Sequence, residues 1–216
     1  MLATIVIEVA CAAYTFIRYK LTPQSRLAVA LLVGLALFQL AEFNVCEGAW
    51  GVNSLTWARI GYVAITLLPP LGLHLATRIA KQKQTLLVVT AYLSAAVFAC
   101  IFLFVGHGMQ SQQCLGNYVI FTIAPWAVKP YALYYYGWLF VSVVYAWRVG
   151  KTMASAKKRK ALYTLAIGYL AFIVPTTAAN LLDHATLAGI PSIMCGFAVI
   201  LAIVLTGIVI PNCSDD

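Results

Sequence analysis

The chain has 216 residues, of which 63% are hydrophobic and 9% charged, with a formal net charge of +8 and a mean hydropathy of +0.91. A soluble domain carries about 25% charged residues, so this composition excludes an ordinary cytosolic globular domain, a disordered chain and a coiled coil. It also argues against nucleic acid as a partner, because in so apolar a chain the positive charge is first a statement about membrane topology.

A helix crossing roughly 30 Å of hydrocarbon needs about 20 mostly apolar residues, and there the backbone satisfies itself only as helix. Seven stretches meet or approach that length. Leu2–Ile17 is the first and is short. Arg18 and Lys20 follow it and Glu8 sits within it, the reverse of a cleavable signal peptide. Leu27–Asn44 comes next, with Gln39 and Glu42 near its end. Trp57–Thr77 opens with Arg59, continues with Tyr62 and Thr66 on one stripe, and contains Pro69-Pro70. Those prolines remove ladder hydrogen bonds and predict a kink. His74, one turn beyond, reads as a hydrogen-bonded packing residue before it reads as a ligand.

Leu86–Val105 is the fourth stretch. Tyr131–Trp147 is the fifth and begins with Tyr131, Tyr134, Tyr135, Tyr136 and Trp138. Ala161–Leu182 follows the basic run Lys157–Lys160 and leads into Asp183, with Thr176 and Asn180 on the same face. Leu187–Ile210 is the last, and Pro211 is expected to stop it. The expected fold is therefore all-α: residues 1–216 form a single seven-helix transmembrane bundle with no soluble domain.

Orientation follows from the loops. With the N-terminus outside and the C-terminus cytoplasmic, 12 of the 14 basic residues fall on inner loops, leaving Arg59 and Lys129 outside. The Lys157–Lys160 run is then also placed to touch anionic headgroups of the membrane lipid. The long connections, about 45–56 and 106–130, are outer; Val119–Trp126 in the second is apolar and aromatic, suited to an interfacial segment or a lid. Of six cysteines, Cys46 and Cys114 lie one in each outer loop, on the oxidising side of the membrane. A Cys46–Cys114 disulfide is expected, worth roughly 4 kcal/mol in the chain-entropy description.

Ionisable residues within spans are costly and mark function or structural cross-links. Glu8, Glu42, Arg59 and Asp183 all fall in the outer halves or outer ends of their helices, at the level of the fifth-span tyrosines. One reading is a polar outer cavity for a small amphipathic ligand, formed by Glu8, Glu42, Arg59, Tyr62, Tyr134, Tyr135, Asn180 and Asp183, with Arg59 paired to Glu42. The other is a set of interhelical hydrogen bonds and interfacial aromatics. No cysteine–histidine spacing resembles a zinc site, the last span has no lysine for a retinal Schiff base, and no Ser-His-Asp, HExxH or Walker pattern appears. Neither a metal, a cofactor nor an enzymatic activity is expected.

The stretch Trp57–Thr77, WARIGYVAITLLPPLGLHLAT, resembles the third helix of the seven-transmembrane sensor region at the N-terminus of bacterial histidine kinases and diguanylate cyclases. Glu42 near the end of the second span and the basic segment KKRKALYTLAIGYL before the sixth are similar to that family's pattern. The resemblance implies a bacterial cytoplasmic-membrane sensor that passes an outer or membrane-borne signal inward. It departs from the family in lacking a coiled linker, PAS domain or kinase core, so a protein partner is expected to supply the output. Two alternatives remain open: a non-catalytic accessory or assembly subunit of a larger membrane complex, with close contacts at small residues such as Ala30 and Gly34, or a small-solute transporter using the Pro69-Pro70 interruption.

Overall fold

The computed structural model describes residues 2–105, 108–115, 118–182 and 190–213. Among these residues seven α-helices follow in chain order: α1 (Leu2–Arg18), α2 (Pro23–Glu47), α3 (Ser54–Ile79), α4 (Thr85–Phe104), α5 (Pro125–Thr152), α6 (Ala156–Leu182) and α7 (Ile190–Val204). Beyond Val204 the backbone widens into a π turn over Leu205–Val209 and tightens into a 3-10 turn over Ile210–Asn212, where Pro211 sits. Among the described residues five segments are long and apolar enough to cross a membrane: Pro23–Glu47, Ser54–Ile79, Thr85–Phe104, Ala156–Ala179 and Ile190–Asn212.

The burial pattern is that of a membrane bundle. In α1 the buried residues are Glu8, Ala12 and Thr15, whereas Val6, Val9, Phe16 and Ile17 are exposed. α4 exposes Leu86, Leu93, Val97 and Phe104 and buries Ala91, Ala95 and Phe102. Apolar surface on this scale is untenable in water and natural against lipid, where polar groups turn inward. The chain is thus a multi-pass membrane protein.

α3 is central, packing against α2, α4, α5 and α6. Its close approach to α2 needs small residues: a methyl at Gly61 would press on Ala41 and Phe38, and one at Gly34 on Leu68. Gly34 is therefore spent on contacts inside the bundle. Local chemistry sets the helix ends. Thr22 and Asn53 accept first-turn amides at the starts of α2 and α3, and Gly48 in a left-handed conformation closes α2.

The fold is not wholly helical. β1 (Met109–Leu115) and β2 (Tyr118–Ile123) form an antiparallel hairpin between α4 and α5, with Cys114 opposite Val119 and Gln112 opposite Phe121. The sequence YVIFTI is rich in β-branched and aromatic residues. Its two-residue period buries Val119, Phe121 and Ile123 against the bundle. α5 also starts earlier than hydropathy predicts. Pro125 occupies its first turn, where the missing N–H costs nothing, so the helix begins ahead of Lys129 and Pro130.

The disulfide expected from the loop cysteines is present: Cys46 at the end of α2 is bonded to Cys114 of β1, with their Cα atoms 5.7 Å apart. It pins the hairpin over the end of the bundle.

Candidate functional site

Beneath the hairpin lies a cleft of about 340 Å³. Phe121 and Ile123 of β2 roof it, Tyr62 and Ile65 of α3 form its floor, and Tyr131, Tyr135 and Tyr136 of α5 face Ile190, Pro191 and Met194 of α7. Across the gap the Tyr136 hydroxyl reaches Met194 Sδ at 3.5 Å.

The tyrosines belong to an aromatic cluster that joins five elements. The Tyr62 ring lies 5.0 Å from Phe102, 5.4 Å from Phe121 and 5.8 Å from Tyr131. Phe98 approaches Tyr131 at 5.3 Å and Tyr134 at 4.9 Å, and Phe38 reaches Phe121 at 5.9 Å. Edge-to-face and tilted rings at these separations each add about 0.5–1.5 kcal/mol beyond burial, so the cleft has rigid walls.

Two of these tyrosines are set by the proline pair. In a helix the N–H of residue i bonds the carbonyl of i−4, so Pro70 leaves the Thr66 carbonyl without its ladder partner. The Tyr134 hydroxyl donates to that carbonyl at 2.5 Å. Thr66 Oγ1 donates to the Tyr62 carbonyl at 2.6 Å, and the Tyr131 hydroxyl bonds the same Oγ1 at 3.0 Å. α5 is thereby tied to α3 where the α3 ladder is interrupted.

The expected site residues separate into groups. Tyr62 and Tyr135 line the cleft. Tyr134 turns away from it to α3. Glu8 and Glu42, 0% and 1% exposed, lie in a seam between α1, α2 and α7. That seam is joined by Thr4 donating to Gln39 Oε1 at 3.1 Å and by a hydrogen bond between the Thr15 and Thr206 hydroxyls at 3.3 Å. Both Glu8 oxygens lack a hydrogen-bond partner, and the carboxyl is within electrostatic reach of Glu42.

Glu42 does not take Arg59 as its hydrogen-bonding partner. The Ser192 side chain of α7 is near its carboxyl, and Ser192 Oγ accepts the Val119 N–H at 3.2 Å. Arg59 Nε and Glu42 Oε1 are both buried without a partner. The Asn180 side chain and Asp183 lie outside the described residues. Among the described residues Glu8 and Glu42 thus lie in the polar seam, and the mainly apolar cleft is lined by neither of them nor by Arg59.

The cleft residues missed in the sequence, Ile65, Phe121, Ile190 and Met194, are indistinguishable there from ordinary packing residues. The one available signal was the period-two alternation of β2. Among the described residues no three histidine, cysteine or acidic side chains are grouped to hold a metal ion.

No protein family, no curated protein and no solved structure matches this chain.

Proposed function

We propose that this protein is a seven-span membrane sensor that binds a small apolar or amphipathic ligand in the cleft beneath the disulfide-pinned hairpin. The cleft itself carries the reading. Its size suits a small molecule, its walls are aromatic and aliphatic with a few tyrosine hydroxyls, and such pockets fix apolar ligands with sparse polar contacts. The exposed apolar faces of α1 and α5, including Val6, Phe16, Leu133 and Phe140, support two further spans. At 17 residues α1 is about 26 Å long, at the lower limit for a helix that crosses with little tilt.

The basic residues gather at the end of the bundle away from the hairpin, which supports the cytoplasm at that end and the cleft on the outer side. A ligand against Tyr62 and Tyr131 sits one helical turn from Thr66 and about two from Pro70. A shift of α5 against α3 is then the route by which occupancy reaches the cytoplasmic end and a protein partner there.

A photoreactive fatty acid carrying a diazirine near its tail tests the site. Crosslinks should concentrate on peptides containing Tyr131–Tyr136 and Met194. Ala132→Trp, which fills the cleft, should remove them. Equal labelling of the lipid faces of α1 and α4, unchanged by Ala132→Trp, would refute the site. For orientation, Ser111→Cys should react with a membrane-impermeant maleimide in intact cells and Lys158→Cys only after permeabilisation.

A further inference from the structure

The hairpin that roofs the cleft is fastened at both ends. Its base, between α4 and α5, is closed by the Ala124 N–H on the Gly108 carbonyl at 3.1 Å. Its far end carries Cys114, next to the last pair of the ladder, Leu115 with Tyr118. There it is bonded to Cys46, which belongs to α2 and not to either helix at the hairpin's base. Between the two attachments Phe121, Thr122 and Ile123 line the cleft. The cleft is thus covered by a flap hinged at Gly108 and Ala124 and tied down at its far end by one covalent bond.

The other attachments are non-covalent. The Val119 N–H donates to Ser192 Oγ at 3.2 Å, and the Phe121 ring lies 5.9 Å from Phe38 and 5.4 Å from Tyr62. A two-stranded hairpin is marginally stable by itself in water, so these contacts and the bridge share the task of holding the flap closed. The bridge is also within reach of a reductant: Cys114 is exposed and Cys46 half-buried. Exposed disulfides are more readily reduced than enclosed ones.

We propose that the Cys46–Cys114 bridge is a redox latch on the cleft. Oxidised, it holds the hairpin over a bound ligand; reduced, it lets the hairpin swing about its base and the ligand leave. The reductant is a dithiol. One of its thiolates attacks Cys114 Sγ, the S–S bond breaks, and Cys46 departs as a thiolate. The reductant's second thiolate then displaces Cys114 from the mixed disulfide. Two electrons pass to the protein, the reductant ends as a disulfide, and the two protons its thiols gave up are taken by Cys46 and Cys114. This inference rests on the cleft being a ligand site and adds the regulation of that site.

Labelling of the full chain in lipid nanodiscs by the diazirine fatty acid, titrated with and without dithiothreitol, tests it. Apparent affinity at the Tyr131–Tyr136 and Met194 peptides should fall at least about fivefold on reduction, the low end of ordinary coupling between two sites, and return on reoxidation. Cys46→Ser/Cys114→Ser should bind weakly in both conditions and ignore dithiothreitol. Coupling is reciprocal, so saturating fatty acid, kept in the dark, should make the bridge harder to reduce by the same factor. For a two-electron couple fivefold is about 20 mV, read by thiol trapping in dithiothreitol redox buffers. Cleft labelling that Ala132→Trp blocks, but that is equally tight in both redox states, would overturn the latch and leave the cleft reading standing. Labelling spread over the lipid faces of α1 and α4 in both states would overturn the two together. Helical circular dichroism checks that reduction leaves the bundle folded. The midpoint measurement uses the native chain and keeps the test intact if the double variant does not fold; an equal midpoint with and without fatty acid would overturn the proposal.

Discussion

The Tyr134 hydroxyl donates to the Thr66 carbonyl, the group that Pro70 leaves without a ladder partner. An interruption in α3 is thus repaired from α5, and the repair lies within one turn of the cleft floor at Tyr62. The proline pair and the tyrosine-rich start of α5 are two halves of one joint. It gives the cleft a mechanical connection to the helix at the centre of the bundle.

Tyr134→Phe should therefore destabilise the protein by about 1–3 kcal/mol, the cost of leaving a buried acceptor unsatisfied. Pro70→Ala supplies an N–H that can bond the Thr66 carbonyl within the helix. In the double variant the Tyr134→Phe penalty should shrink by at least half. Thermal unfolding in detergent measures all three, and strictly additive losses would show that the hydroxyl serves some other purpose.

The Cys46–Cys114 bridge should matter locally as well as globally. Cys46→Ser/Cys114→Ser is expected to cost about 2–4 kcal/mol, less to the extent that the membrane already confines the unfolded chain. Hydrogen exchange should rise across Met109–Ile123 while α2 and α3 stay protected. Unchanged exchange in the hairpin would mean that Val119, Phe121 and Ile123 alone hold it down.

The helices were legible because lipid demands runs of about 20 apolar residues, and each of the seven runs in the sequence corresponds to one helix. The start of α5 was not, because Lys129 and Pro130 lower local hydropathy although the helix backbone tolerates both. The hairpin was hidden in the connection between the fourth and fifth apolar runs, where only Val119, Phe121 and Ile123 recorded its period. The disulfide was readable from compartment alone. The polar residues were readable as buried, but not their partners: Thr4 of α1 donates to Gln39 of α2, and spacing within one helix says nothing of a distant one. The cleft was the least legible feature, since Ile65 and Met194 become cavity walls only once α5 and α7 stand apart under the hairpin.

Cys213 should be inert. It lies just beyond the last membrane-crossing segment, its Sγ donates to the Val209 carbonyl at 3.0 Å, and it is buried. Burial pushes its thiol up to about 12, partly offset by Lys158. Only the thiolate is nucleophilic, so iodoacetamide at pH 8 should leave Cys213 unmodified in the folded protein and alkylate it after denaturation. The sign for stability follows: the unfolded thiol ionises near its ordinary value of 9, the folded one near 12. Its contribution is present below about 9 and is lost as pH rises from there toward 12. Cys213→Ala should flatten that part of the stability profile, and rapid alkylation of native Cys213 would contradict the argument.

A tight contact between α3 and α6 carries the last prediction. Gly72 faces the Tyr169 hydroxyl so closely that a methyl at Gly72 would overlap it. That hydroxyl is buried and has no hydrogen-bond partner. Gly72→Ala should therefore be destabilising by about 1–3 kcal/mol through overpacking. Tyr169→Phe removes an unsatisfied group and should be neutral or stabilising. Tyr169→Leu alone should cost stability by opening a void, yet it also clears the space a methyl at Gly72 requires. The pair Gly72→Ala/Tyr169→Leu should consequently be less destabilised than the sum of its single variants, because residues in direct contact couple. Additive behaviour across that cycle would mean that α3 and α6 separate under strain instead of holding the contact.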